Sequence, residues 1–136
     1  MIIIDTSELF ALFVGADRDH RAVADLLTES DDGIVVSPYV VAELDYLIAK
    51  RGGVRDELTA LNELCSGAYE LPIMGVADLI SCSRVIARYA DQRIGLTDAS
   101  LVVLADRYQT PMICTFKRRH FSVLRSLDDR EFTLIP

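Results

Sequence analysis

The feature that most constrains the fold is a set of very short apolar runs separated by longer stretches of helical periodicity. Met1–Ile4 is an unbroken apolar run, ended by Asp5. A run without polar alternation is what a strand covered on both faces needs. "IVVS" from Ile34 reads as a second short buried strand, "YELPI" from Tyr69 and "MICT" from Met112 as a third and a fourth strand, and "FTLIP" from Phe132 as a fifth strand at the edge. The segments between them are helical. One starts at "TSELFALFV", with Thr6 or Ser7 as N-cap, and breaks at Gly15; a second covers Asp17–Thr28, with Val23, Leu26 and Leu27 on its apolar side. Ser37-Pro38 opens a third, a hydroxyl cap before a proline at the first helical position; Val40, Leu44, Leu47 and Ile48 mark its apolar side, and "RGG" ends it after Lys50. Further helices are expected over Val54–Cys65, Val76–Tyr89 and Thr97–Tyr108. Strands alternating with helices predict an α/β fold: a mainly parallel central sheet of four to five strands with helices on both sides. In such sheets ligands collect beyond the carboxyl ends of the strands. Asp5 lies at one such end, and Thr115-Phe116-Lys117 at another.

A chain of 136 residues that is 51% hydrophobic and 26% charged is expected to form one domain, residues 1–136, with a single core. No apolar run approaches the roughly 18 residues of a membrane span, and "MIIIDTSELF" lacks the basic stretch of a secretory leader. Cys65, Cys82 and Cys114 are odd in number and far apart, with neither disulfide nor metal spacing. They read as reduced core thiols, and the expected location is cytoplasmic. A net charge of −7 argues against a broad nucleic-acid surface but permits a local basic rim, and it leaves room for a metal site or a basic protein partner.

Three acids draw attention. Asp5 ends a buried strand; Glu43 lies at the edge of an apolar helical stripe; Asp98 sits in a first helical turn on the face of Leu101, Val102 and Ala105. All three are expected to be partly buried. Burying several carboxylates together is costly because each repels the others, and a divalent cation removes that cost. Mg²⁺ suits a few carboxylates plus retained waters, and it can polarise a phosphodiester and activate water. Each acid also has a plainer role: Asp5 as a helix cap, Asp98 as a partner of its own helix dipole, Glu43 in a surface ion pair.

Four stretches in order, "IIIDTS", "VVSPYVVAELDYLI", "RIGLTDASLVVLADRY" and "ICTFKRRHFSVLR", resemble the PIN-domain ribonucleases, and closely the VapC toxins of VapBC toxin–antitoxin systems. The resemblance spans essentially the whole chain. It implies a PIN-like α/β/α sandwich and Mg²⁺- or Mn²⁺-dependent endonucleolytic cleavage of structured RNA. It also implies a VapB-type antitoxin that blocks the site, and a homodimer. By motif it places Asp5, Glu43 and Asp98 on catalytic acidic positions, with Asp5 and Asp98 on the metal and Thr6, Ser7 and Thr115 in support.

The sequence departs from that pattern at one point. The fourth acidic position, in a "T-x-D-R-R-H-F" pattern, here holds Lys117. Lysine there can pair with Asp5 or Asp98 in place of a metal, point away from a site that still holds one ion, or touch substrate phosphate as a point charge. The expectation carried forward is a ribonuclease with reduced metal affinity. Arg118 and Arg119, with Arg93 as a weaker candidate, would hold RNA at the rim of the acidic pocket; surface salt bridges for the arginines and a core-capping role for His120 are the plainer readings. Leu9, Phe10, Leu12 and Phe13 carry more apolar surface than one helix face buries, which fits either a central helix or a groove for an antitoxin helix. Two other functions compete. One is an inactive PIN module acting through antitoxin binding. The other is a phosphoryl-accepting receiver-like domain, against which stand the position of Asp98 at a helix start and the lack of an acid ending "YELPI".

Overall fold

The computed structural model describes residues Met1–Pro136. Five strands, β1 (Ile2–Ile4), β2 (Ile34–Val36), β3 (Tyr69–Glu70), β4 (Met112–Cys114) and β5 (Thr133–Ile135), form one sheet in the order β3-β2-β1-β4-β5. Every neighbouring pair is parallel. Ile2, Ile3 and Ile4 are fully buried, as a central strand with both faces covered demands. Ile3 pairs with Val35 on one side and Ile113 on the other, so three apolar runs meet in register.

The helices are α1 (Thr6–Phe13), α2 (His20–Glu29), α3 (Pro38–Leu64), α4 (Val76–Arg88), α5 (Leu96–Arg107) and the single turn α6 (Arg118–Phe121). They flank the sheet in the expected α/β/α arrangement. α1 packs against α2 and α3, and α4 packs against α5. Because Arg107 at the end of α5 donates to the Ile73 carbonyl and pairs with Asp78 at the start of α4, those two helices run antiparallel. The far end of α4 therefore lies beside the start of α5, joined by a 3₁₀ turn at Ala90–Gln92 and Arg93–Gly95.

Several boundaries differ from the sequence reading. Asp5, not Thr6 or Ser7, is the N-cap of α1: its side chain accepts from the Thr6 amide. α2 begins at His20 because Asp17 first closes a turn with the amides of Asp19 and His20. The third strand shrinks to Tyr69–Glu70, since Pro72 has no amide to continue the ladder. The two helices expected on either side of "RGG" abut as one kinked helix, with Gly53 at φ 75°, ψ −170°. Cys65 is exposed, unlike buried Cys82 and Cys114. Leu9 is buried, while Phe10, Leu12 and Phe13 are partly buried against the core, so α1 is mainly a central helix.

The Gly53 conformation is one that only glycine adopts without strain. Gly53→Ala is expected to cost about 1–3 kcal/mol, read from the urea midpoint, whereas Gly15→Ala, in open space and without positive φ, is expected to leave the midpoint close to wild type. A midpoint for Gly53→Ala at or above wild type would mean that α3 straightens through residue 53.

Candidate active site

β1 and β4 are adjacent, yet the chain leaves them toward opposite sides of the sheet order. A crevice opens at the carboxyl ends of strands at such a switch point. Asp5 follows β1 and Thr115 follows β4, and the first turn of α5 brings in Asp98. The Asp5 amide donates to the Cys114 carbonyl at 3.0 Å, which locks the two strand ends together.

Asp5 is completely buried and Asp98 nearly so. One Asp5 oxygen accepts from the Thr6 amide at 2.7 Å; the other accepts from Thr115 Oγ1 at 3.0 Å and faces Lys117 Nζ at 3.4 Å. The same ammonium donates to Asp98 Oδ1 at 3.2 Å. Lys117 therefore points into the crevice and bridges both acids, and its backbone is held by donation from its amide to Thr115 Oγ1 at 3.0 Å. Burial raises the Asp5 pKa, and the ammonium opposes that rise without cancelling it; nearby Asp98 adds to it. Burial alone would lower the Lys117 pKa, but Asp5 and Asp98 outweigh it and the net shift is upward. The lysine is charged at neutral pH.

Glu43 differs from expectation. It is exposed, because Val40, Leu44 and Ile48 alone form the buried stripe of this part of α3. It is nevertheless fixed in place: Thr6 Oγ1 donates to it at 2.7 Å and Thr97 Oγ1 at 2.6 Å. Thr6 adjoins Asp5 and Thr97 adjoins Asp98, so two hydroxyls tie Glu43 to the mouth of the crevice. No three His, Cys, Asp or Glu side chains are grouped closely enough to hold one metal ion. The expected three-acid pocket is thus a buried pair, Asp5 and Asp98, with Glu43 at the rim.

The supporting residues divide. Thr6 and Thr115 bond to site carboxylates; Ser7 is exposed and makes no side-chain hydrogen bond. His120 Nδ1 lies 3.6 Å from Asp98 Oδ2, at the lip of the site. Arg118 donates to the Pro136 carbonyl, whereas Arg119 and Arg93 are exposed and form no salt bridge. Arg93 takes a left-handed backbone, φ 52°, at the end of the 3₁₀ turn.

The sequence reading missed Glu8 and Thr97. Glu8 is fully buried; Oε1 accepts from the Phe116 amide at 2.8 Å, and Oε2 has no partner. Burial, assisted by the charge of Asp5, raises its pKa to about 7. Burial, with Glu8 and Asp5 nearby, also raises the Cys114 thiol to about 12, so that thiol is not a nucleophile. Glu8 was legible only in part: an acid directly before Leu9 in an apolar helix can equally well face solvent.

The raised Glu8 pKa means that the folded state binds the proton more tightly than the unfolded chain. Its neutral form therefore favours folding at low pH, and this contribution is lost as pH rises from about 4.5 to about 7. Over that window the loss is of the order of 3 kcal/mol at most. In metal-free buffer, the fall in urea midpoint across this range is expected to be smaller in Glu8→Gln; identical profiles would show that Glu8 ionises freely in the fold.

Comparison with known proteins agrees with this architecture. The sequence pattern of the PIN domain matches residues 2–127. Ribonuclease VapC26 of Mycobacterium tuberculosis is 54% identical over 135 residues, covering 99% of this chain and 100% of that protein. The crystal structure of VapC20 from the same organism, a toxin that cleaves the sarcin–ricin loop, superposes with a TM-score of 0.80 at 18% identity, covering 88% of this chain and 92% of that one. VapBC2 of Rickettsia felis, solved bound to a promoter DNA fragment, superposes with a TM-score of 0.71 at 16% identity over the full length of both chains. A parallel sheet with paired acids at its switch point, the matched domain pattern and a full-length relative all lead to one assignment: this chain belongs to the PIN-domain family, among the VapC proteins.

Proposed function

We propose that the chain is the ribonuclease toxin of a toxin–antitoxin pair and cuts phosphodiester bonds of structured RNA at the crevice of Asp5, Glu43 and Asp98. The observation that carries this reading is the position of the Lys117 ammonium, 3.4 Å from Asp5 and 3.2 Å from Asp98. The ammonium lies between two buried carboxylates, and Asp5 and Asp98 would hold Mg²⁺ or Mn²⁺ if the lysine swung out. Two carboxylates with retained waters suit Mg²⁺. When bound, the ion supplies polarisation of the phosphodiester and a more acidic water.

The protein's own groups do the rest. Glu43, held by Thr6 and Thr97, keeps an exposed carboxylate at the mouth where it can take a proton. Arg119 and Arg93 are free to hold RNA phosphates, and Arg118 could join them only by releasing Pro136. A metal held by Asp5 and Asp98 would have to displace the ammonium. At an effective dielectric of about 20, each of its two contacts is worth about 5 kcal/mol before screening by the water that reaches the partly exposed side chain. Reduced metal affinity follows.

The VapBC assemblies among the structural neighbours support an antitoxin partner. A cleft of about 440 Å³ between the end of α1 and the middle of α3, bordered by Phe13, Ile48 and Ala60, is a seat for part of it. Exposed Ile73, Val76, Leu79 and Ile80 around the start of α4 support pairing with a second copy.

Two measurements test the reading. Purified protein with Mn²⁺ is expected to cleave a structured RNA, and Asp5→Asn to abolish cleavage while still folding, since asparagine also caps a helix. Absence of cleavage even at excess Mn²⁺ would leave an antitoxin-binding module without enzymatic activity. In calorimetric titration, Lys117→Asp is expected to bind Mn²⁺ at least 10-fold more tightly than wild type, a difference of about 1.4 kcal/mol or more; superimposable isotherms would remove the competition between lysine and metal.

A further inference from the structure

An acidic protein that handles RNA must confine its cations to defined places. One such place lies away from the Asp5–Asp98 crevice. Ser81, Arg84, Val85 and Arg88 recur at helical spacing along one side of α4. The segment leaving α6 brings Arg125 and Leu127 against that side, and with Tyr89 these residues line a pocket of about 260 Å³. No carboxylate lines it.

The floor is fixed. Val85 and Tyr89 are buried, and the Tyr89 hydroxyl accepts from the Arg125 amide at 3.0 Å. The Arg88 guanidinium lies over the Tyr89 ring, 5.2 Å from its centroid. Two arginines have partial counter-charges. Arg88 pairs with Asp129 at 2.8 Å, and Arg125 with Glu131 at 3.6 Å. Both acids are more than 70% exposed, so solvent screens them, and an incoming anion can displace them cheaply. Arg84 is different. It is exposed and has neither a salt bridge nor a side-chain hydrogen bond. Arg88, in the last turn, complements the dipole of its own helix; Arg84 lies a turn earlier, where that explanation does not reach.

We propose that this pocket, with Arg84, Arg88 and Arg125 on its walls, is a phosphate-binding subsite that holds the RNA backbone away from the bond being cut. The inference rests on the ribonuclease reading above for the identity of the ligand. A planar guanidinium fork matches two phosphate oxygens, and the Ser81 side chain adds a hydroxyl donor at the edge. The antiparallel α4–α5 pair sets the C-terminal half of α4 toward the end of the molecule where Asp98 begins α5. Arg125 lies on the chain that leaves Lys117 and His120. One strand of RNA can thus run from the crevice past α6 to the pocket. The subsite holds backbone and reads no base, so its contribution is sequence-independent and salt-sensitive.

The test is fluorescence anisotropy with a fluorescein-labelled RNA hairpin and full-length protein in EDTA, so that binding is read without cleavage. A salt series is run for wild type, Arg84→Ala, Arg84→Glu and the control Arg18→Glu, which changes an arginine whose side chain is 92% exposed on the α1–α2 loop. Arg84→Ala is expected to lower the salt slope by about 1, and Arg84→Glu to weaken binding about 10-fold at moderate salt while Arg18→Glu changes it less than about two-fold. In parallel cleavage assays with Mn²⁺, Arg84→Glu is expected to raise KM and leave kcat near wild type. If the Arg84 variants bind like Arg18→Glu while wild type cleaves RNA, the subsite is wrong and the ribonuclease reading stands. If wild type never cleaves but Arg84→Glu still loses RNA binding, the subsite stands and the ribonuclease reading falls. If wild type does not bind the hairpin, both fall.

Discussion

The site depends on a single ammonium placed between two buried carboxylates. Asp5 and Asp98 come from different elements, one from the end of the central strand and one from the start of α5, and both lie where water hardly reaches. Two such anions facing one another would drive the strand end and the helix start apart or force a proton onto one of them. Lys117 resolves this conflict from within the chain. It is delivered by β4, which pairs directly with β1, and its own backbone is held by Thr115, the same hydroxyl that bonds to Asp5. The cation, the hydroxyl and the first carboxylate are therefore parts of one hydrogen-bonded unit.

This arrangement has a consequence for how the protein balances stability against chemistry. The tethered ammonium offsets one of the two carboxylate charges without a dissociable ion. On the reading proposed above, the same tether would compete with an arriving metal ion. Glu8 deepens the effect: a third buried carboxyl, near Asp5 and with a pKa of about 7, adds negative charge only when it loses its proton. Its bond to the Phe116 amide also anchors the backbone from which Lys117 projects. The local field thus answers to the lysine side chain and to the protonation of a group that never touches solvent.

Much of the fold was legible because burial leaves a direct mark on sequence. Unbroken apolar runs such as Ile2–Ile4 have no solvent face and so announce a central parallel strand. Ser37-Pro38 announced a helix start by capping chemistry alone, and the Ser37 side chain does accept from the Tyr39 amide. The misreadings came where two local signals competed. Gly52-Gly53 reads as a stop, yet the chain resumes helical geometry directly after one unusual residue. "YELPI" reads as a strand, but the proline cuts it to two residues. The strand order also removes the receiver-like alternative: flavodoxin-type sheets run 2-1-3-4-5, whereas here β3 lies outside β2.

The sequence by itself determined the class of fold, the acids at a strand end and a helix start, and the presence of a lysine where the family pattern has an acid. These are properties of neighbours along the chain, and periodicity or capping exposes them. Only the tertiary structure decided that Lys117 turns inward to bridge Asp5 and Asp98, that Glu43 stands at the rim held by two threonines, and that Glu8 is buried. Those facts depend on distances between residues far apart in sequence. Side-chain direction and burial are fixed when β1, β4 and α5 pack together, and no local pattern encodes that packing.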